Sequence, residues 1–117
     1  MNGSWYEDIT TGHTVGAGFT LLGWRARVRP SSGEVTLWIY VRNDVAINIL
    51  AGANITDTTC FTVPASVAPP DFSSCGWGNG VNHGEGVVEP TGAVVLRSAT
   101  VNIAAPSNIR IRASYSL

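Results

Sequence analysis

The chain has 117 residues, of which 44% are hydrophobic and only 13% are charged, and its formal net charge is −1. We expect one domain, whose weak electric field gives nucleic acid or an anionic membrane no long-range attraction. All seven basic residues are arginines, which excludes chemistry that needs a lysine, such as Schiff-base formation or phosphate-loop binding.

Residues 1–18 are predicted to form an N-terminal arm or a first strand, because Trp5 and Tyr6 precede Gly- and Thr-rich sequence without sustained periodicity. We expect Trp5 to pack against this chain or a neighbouring copy. No basic stretch followed by an apolar run marks a signal peptide, and no stretch approaches the ~20 apolar residues of a membrane span. Synthesis in a cytosol without membrane insertion is therefore expected.

Residues 19–43 predict a long antiparallel hairpin, with the turn at Pro30–Gly33. Its second strand alternates, with Val35, Leu37, Ile39 and Val41 on one face and Thr36, Trp38, Tyr40 and Arg42 on the other. This period of two is typical of a half-buried strand. Because two strands with one apolar face are not stable alone in water, the rest of the domain, 19–117, is expected to cover that face.

The remaining sequence predicts further short strands and no helix. The strands are predicted at 46–55, 58–63, 72–77, 87–89, 93–98, 100–104 and 109–117. The glycine-rich segment 76–86 is predicted to be partly loop, because glycine weakens a strand. Short strands with turn signals at regular spacing predict an all-β fold, an antiparallel β-sandwich of jelly-roll or related Greek-key type.

Cys60 and Cys75 lie on either side of a Pro-rich segment and could form a disulfide if the strands that carry them pair. A cytosolic origin favours two free thiols instead, and two thiols alone do not make a zinc site. The two histidines, His13 and His83, lie in glycine-rich stretches, where a surface loop residue is expected rather than a metal ligand. No metal and no other cofactor is predicted.

The carboxylates indicate no catalytic site. They are scattered through turns and strand ends, and no spacing places two of them across a sugar as a glycosidase requires. No nucleophile motif surrounds a serine or a cysteine, and no helix follows the glycine-rich segment to bind phosphate. The chain is therefore predicted to be non-enzymatic.

A ligand-binding site is predicted near the glycine-rich segment, because an indole can stack on a sugar while polar groups bind its hydroxyls. The candidates are Asp71, Trp77, Asn79, Asn82, His83 and Glu85. For Trp77 taken alone, a place in the protein core is the favoured alternative, since a tryptophan between short strands is usually packed.

The alternating arginines Arg25, Arg27 and Arg29 allow two interpretations. They could bind an anionic glycan, such as a teichoic acid or a uronate polymer. Alternatively they stack on Trp38 and Tyr40 across the hairpin, or lie with them in a trimer interface. The second interpretation is favoured, because cross-strand cation–π pairs follow from the hairpin itself.

Several segments of the chain resemble the C-terminal head domains of tailed-phage tail fibres and receptor-binding proteins. They are Trp5 with the following Ile9–Gly12, Gly23–Trp24, Glu34–Leu37, Phe61–Ala65, Val88–Leu96 and the last strand, Ile109–Ser116. The resemblance implies a β-sandwich head in three copies around a fibre axis, displayed at the virion tail tip and binding a host surface receptor, often a saccharide. Segment 76–86 matches no motif of this family, so no receptor site is carried over.

We therefore expect a non-enzymatic, homotrimeric head domain that attaches a virion to a bacterial cell-surface polysaccharide. One alternative is a monomeric carbohydrate-binding module or lectin-like domain attached to an enzyme. Another is a structural virion domain that binds no receptor. The mass in solution separates the first two, and labelling of host cells separates both from the third.

Overall fold

The computed structural model describes residues 5–117, so residues 1–4 of the predicted arm lie outside the described part of the chain. The fold is all-β, with about 58% strand and without an α-helix in this range. The strands are β1 (Glu7–Ile9), β2 (Thr14–Val15), β3 (Phe19–Arg29), β4 (Glu34–Asn43), β5 (Asn54–Thr62), β6 (Ser73–Gly78), β7 (His83–Val88), β8 (Ala93–Ser98) and β9 (Ser107–Ser116). Two 3-10 turns lie at Ala51–Ala53 and Ala65–Val67.

All nine strands belong to one curled antiparallel sheet, in the order β1-β3-β4-β9-β6-β7-β8-β5-β2. The predicted hairpin of β3 and β4 is confirmed, and β4 pairs along its whole length with β9 on its other side. The inward side chains of these strands are buried as the alternation predicts: Val35, Leu37, Ile39, Val41, Ile109 and Ile111. This apolar face therefore lies inside the curl, and the other face of β4 and β9 points outward.

The curl brings strands from distant positions of the sheet order into contact. The Trp24 ring of β3 lies 5.2 Å from the Phe61 ring of β5, measured between centroids. His13 stacks on Phe61 at 5.4 Å, and its Nδ1 accepts a hydrogen bond of 2.9 Å from the Trp24 indole N–H. Because its indole ring packs on His13 and Phe61 inside the curl, Trp24 is a packing residue.

The predicted arm contributes strands to both ends of the sheet. Residues 7–9 pair with β3, and residues 14–15 pair with β5. Trp5 remains 45% exposed, while Tyr6 lies 3.9 Å from the Arg27 guanidinium. The arm is therefore part of the sheet from residue 7 onward.

The predicted strand 100–104 is wrong, and of the predicted strand 46–55 only residues 54–55 lie in a strand, at the start of β5. Residues 46–53 and 100–104 share only an isolated bridge between Ile47 and Ile103. The Ile49 amide donates instead to the Asn102 side chain at 2.8 Å, and Gly52 has a φ of 74° inside a 3-10 turn. A side-chain acceptor and a left-handed glycine thus replace the regular ladder, although the apolar alternation suggested a strand.

The outer edge of the sheet beside β3 is only partly covered. β1 pairs with Ala26–Val28 alone, although β3 has eleven residues. A register shift between Leu21 and Gly23 leaves Leu22 as an extra residue in the pairing with β4, which is a β-bulge. Regular pairing of β3 is therefore interrupted next to its uncovered stretch.

Cys60 and Cys75 are both buried and free, so the possible disulfide between them is not formed. Burial raises the pKa of the Cys60 thiol to about 12 and that of the Cys75 thiol to about 11. Both thiols are therefore protonated at neutral pH. Within residues 5–117, no helix has the length and apolarity that a membrane crossing requires.

Candidate functional site

The outward face of the sheet carries a groove of about 480 Å³ that crosses β4, β9 and β6. Its walls include two aromatic and two cationic side chains, and its lining also includes glycines from β3 and β6. The residues that matter for its chemistry are Trp38, Tyr40, Arg110, Arg112, Gly23 and Gly78.

Strand alternation and register place these side chains together. Trp38 and Tyr40 occupy the outward positions of β4, and Arg110 and Arg112 occupy those of β9. Trp38 pairs directly with Arg112, and Tyr40 pairs with Arg110. Side chains of directly paired residues are neighbours on one face, with Cβ atoms about 5 Å apart. The groove therefore offers two aromatic rings, each beside a guanidinium group.

Glycines leave the surface next to these side chains open. Gly78 pairs with Arg110, and Gly23 pairs with Tyr40. A Cβ added at Gly23 would have no atom within 4 Å, and one at Gly78 would have its nearest neighbour at 3.6 Å. Neither residue has a positive φ. Side chains would fit at both positions, so packing does not require glycine there. The two glycines leave the surface open, as is common where a ligand approaches the backbone.

The predicted cross-strand stacking of the arginine row is confirmed for Trp38. The Arg25 guanidinium lies 4.5 Å from the Trp38 ring centroid, and that of Arg27 lies 6.0 Å away. Arg25 does not line the groove, whereas Trp38 does. The indole therefore keeps ring surface toward the groove while its other contacts fix its orientation.

Two members of the arginine row are paired with carboxylates. Arg27 donates to Asp8 through Nε at 3.0 Å and through a terminal nitrogen at 3.3 Å. This hydrogen bonding lowers the pKa of Asp8 and raises the pKa of Arg27. The Arg29 Nε lies 3.7 Å from a Glu34 carboxylate oxygen. These two arginines therefore have partners within the chain and are weak candidates for ligand binding.

The groove arginines are in a different state. Both Arg110 and Arg112 are exposed, and neither makes an ion pair in the part of the chain that the structure describes. The guanidinium group of Arg25 stacks on Trp38, and its buried Nε atom has no hydrogen-bond partner among the described residues. The groove is thus a cationic region on a chain whose net charge is −1.

The predicted role of Trp77 as a stacking platform needs correction. Its side chain is only 4% exposed, and its indole N–H donates a hydrogen bond of 2.9 Å to the Ser98 carbonyl. A ring enclosed in this way has no face for a sugar, so the alternative of a core residue is the correct one for Trp77.

Asn82 and Asn79 also have structural roles. Asn82 is 4% exposed, and its side chain donates to the Val101 carbonyl at 2.8 Å and accepts from the Thr100 amide at 3.1 Å. The Asn79 side-chain oxygen accepts from the Asn82 amide at 2.8 Å and thereby forms the turn of the β6–β7 hairpin. Both side-chain amides are occupied by hydrogen bonds within the chain, so the two residues are corrected from ligand groups to turn and loop anchors.

The other three candidates are exposed. Asp71 accepts from the Phe72 amide at 2.8 Å, in the loop before β6, and does not line the groove. His83 and Glu85 lie on β7, where they pair with Gly78 and Gly76 of β6. They therefore share the outward face with the groove arginines and flank the groove, separated from it by glycines.

Arg110 and Arg112 are the residues that sequence reasoning did not assign to a site. Their alternation with Ile109 and Ile111 was visible in the last strand and predicted an outward position. The pairing of β9 with β4 was not visible, because it joins residues that are far apart in sequence. From the sequence alone, therefore, nothing indicated that the two arginines and the two aromatic residues share one surface.

The arrangement of the groove offers groups that can bind a sugar. Aromatic rings can stack on the apolar faces of pyranose rings, and guanidinium groups can donate paired hydrogen bonds to oxygen atoms. The groove lining contains no carboxylate and no imidazole that could act as a general acid or base. Among residues 5–117, no three side chains of His, Cys, Asp or Glu cluster as metal ligands.

Comparison of the chain with protein-family models gives no match, and comparison with curated protein sequences gives none either.

Proposed function

We propose that the domain binds a bacterial cell-envelope saccharide through the groove of β4, β9 and β6, as the receptor-binding head of a tailed-phage tail fibre. The observation that carries the proposal is the pair of aromatic rings, Trp38 and Tyr40, beside open surface at Gly78 and Gly23. Stacking platforms next to exposed backbone are a common way for proteins to bind sugar rings. The segments that resemble tail-fibre heads support the choice of a virion tail tip as its location.

The proposal includes two finer features of the resemblance, a jelly-roll-like β-sandwich and a homotrimer. The contact between Trp24 and Phe61 supports the first, because it brings two parts of the sheet face to face. A depression of about 600 Å³ supports the second, since it is lined by exposed apolar residues such as Val45 and Leu50. Three copies would give three grooves, so weak single sites would add up to strong attachment.

The role is proposed as non-enzymatic, because the groove offers stacking surfaces and hydrogen-bond donors but no pair of carboxylates such as a glycosidase uses. A monomeric carbohydrate-binding module is the second candidate. It is favoured by one observation, namely that the pairing of β4 with β9 is enough to place the aromatic and arginine side chains of the groove side by side.

The proposal is tested by labelling a panel of bacteria with a fluorescent fusion of the full chain and competing with purified wall polysaccharides. We expect labelling by the native protein, a loss of about tenfold or more in affinity for Trp38→Ala, and little change for Trp5→Ala. Trp5 is a matched control, because it is exposed and does not line the groove. Absence of labelling on every strain would overturn the proposal, as would equal binding by the two variants.

The mass in solution separates the two candidates. Light scattering is expected to give the mass of three chains at micromolar concentration. A single-chain mass combined with saccharide binding supports the monomeric module, and trimers that label no cell support a structural virion domain.

A further inference from the structure

We infer that the groove selects an acidic pyranose saccharide, with its carboxylates on Arg110 and Arg112 and its sugar rings on Trp38 and Tyr40. This inference rests on the proposed function and adds the chemical class of the ligand. It differs from the sequence-based hypothesis of an anionic glycan on Arg25, Arg27 and Arg29, because it assigns another strand.

The first step of the argument is the distribution of charge. The ion pairs between described side chains use Arg27, Arg29, Arg42 and Arg97. Arg110 and Arg112 are absent from these pairs. They lie two residues apart on one face of β9, so their Cα atoms are about 7 Å apart. Since neither guanidinium group has a carboxylate partner among residues 5–117, both can bind the anionic groups of a ligand.

The second step is the neighbourhood of the two arginines. Across the sheet, Gly76 of β6 lies between Arg112 of β9 and Glu85 of β7, and no ion pair joins the two charged residues. In the same way, Gly78 of β6 lies between Arg110 of β9 and His83 of β7. Among the described residues, the nearest acidic side chain across β6 therefore forms no ion pair with the arginines, and Gly78 leaves space for a ligand beside Arg110.

The third step distinguishes an acidic sugar from other anions. Each arginine is paired directly with an aromatic residue, Arg110 with Tyr40 and Arg112 with Trp38. A pyranose ring stacked on the aromatic residue would place its carboxylate beside the guanidinium group. A polyol phosphate chain has no ring that could use the aromatic surface. Charge and ring surface together therefore favour a uronate-type saccharide.

The test uses a matched pair of ligands, a galacturonate oligosaccharide and its methyl ester, which share their rings but differ in charge. We expect calorimetric titration to show that the acid form binds about tenfold or more tightly than the ester, with the difference shrinking in high salt. Arg110→Gln and Arg112→Gln are expected to remove the preference for the acid but to keep binding of the ester. Arg97→Gln is the control, because Arg97 is exposed, paired with Asp57 and outside the groove.

Equal affinity for the acid and the ester would overturn the inference, as would a preference that survives both groove substitutions. Equal or tighter binding of a glycerol phosphate polymer would also overturn it, because that anion has no sugar ring. In each of these cases, continued labelling of bacteria by the native protein leaves the proposed function standing. Loss of labelling on all strains is the separate outcome that refutes the proposed function itself.

Discussion

The glycines of β6 and those of β7 lie in one hairpin but have opposite surroundings. Gly76 and Gly78 of β6 point outward, where an added Cβ would meet open space or ordinary contacts. Gly84 and Gly86 of β7 point inward, where a Cβ would lie 1.9 Å from the Ser98 carbonyl oxygen and 2.2 Å from that of Val95. Glycine in this segment therefore has two settings: on the inner side the backbone is closely packed and only glycine fits, whereas on the outer side a side chain would fit and glycine leaves the surface open.

The largest expected effect comes from filling an inward position. Gly84→Ala should destabilise the fold by about 3 kcal/mol or more, because the new methyl group would overlap the Ser98 backbone and the Trp77 indole nitrogen. The free energy of unfolding in urea measures the effect. Gly76→Ala is the control, and it should be neutral or stabilise by about 0.5 kcal/mol, since alanine is less flexible when unfolded. Similar losses in both variants would abolish the distinction between the two strands.

The next effect concerns chemical access to the inner face. Cys75 lies beside the inward Gly86, whose added Cβ would be 3.0 Å from its Sγ. Burial raises the pKa of Cys60 from 9.0 to about 12, so at pH 8 its thiolate fraction falls by about a thousandfold, and the folded protein should react very slowly with Ellman's reagent. In denaturant, both Cys60 and Cys75 should react rapidly. Fast reaction of either thiol in the folded state would show that the inner face is open.

A smaller effect is expected from filling an outward position. Gly78→Val should leave the stability unchanged or slightly higher but weaken saccharide binding by about tenfold, because the side chain would occupy the groove. Unfolding in urea and titration with the saccharide should be measured on the same preparation. The Gly76→Ala variant again serves as the comparison, because Gly76 does not line the groove. Unaltered binding by Gly78→Val would contradict the role of the open surface.

The smallest expected effect is the loss of the ion pair between Asp44 and Arg42, compared with a substitution at Arg112, which has no ion pair within residues 5–117. Hydrogen bonds from Thr20 and Arg42 lower the pKa of Asp44 below its ordinary 3.8. The stabilisation from this lowered pKa is present above 3.8 and is lost as the pH falls through the folded-state value. Asp44→Asn should therefore lower the melting temperature slightly at pH 7, and the difference from the native protein should shrink in acid. Arg112→Gln should show no such acid-dependent difference, since Arg112 lacks a carboxylate partner among the described residues.

Local patterns in the sequence were sufficient for the strands with clean alternation. The hairpin of β3 and β4 and the last strand follow from such patterns. Residues 46–53 also alternate, but there the Asn102 side chain and the left-handed Gly52 compete successfully with a ladder. Alternation indicates which side chains share a face, but it does not reveal whether a partner strand is present.

The candidate site was predicted only in part, for the same reason. Trp38 and Tyr40 were recognised as outward aromatic residues, and the stacking of Arg25 on Trp38 was expected from the hairpin. The core position favoured for Trp77 taken alone is confirmed, but its inclusion in the ligand site is wrong, because the direction of its side chain depends on which face of β6 the curl encloses. The groove itself depends on the pairing of β4 with β9 and of β9 with β6, which is a property of tertiary structure.

The bulge at Leu22 has a consequence for the behaviour of the chain at high concentration. β1 covers only Ala26–Val28, so part of the β3 backbone lies at an edge where another molecule could add a strand. An extra residue at this point breaks the regular spacing of donors and acceptors that an incoming strand would need. The bulge therefore makes this part of the sheet edge a poor template for the regular pairing of an added strand.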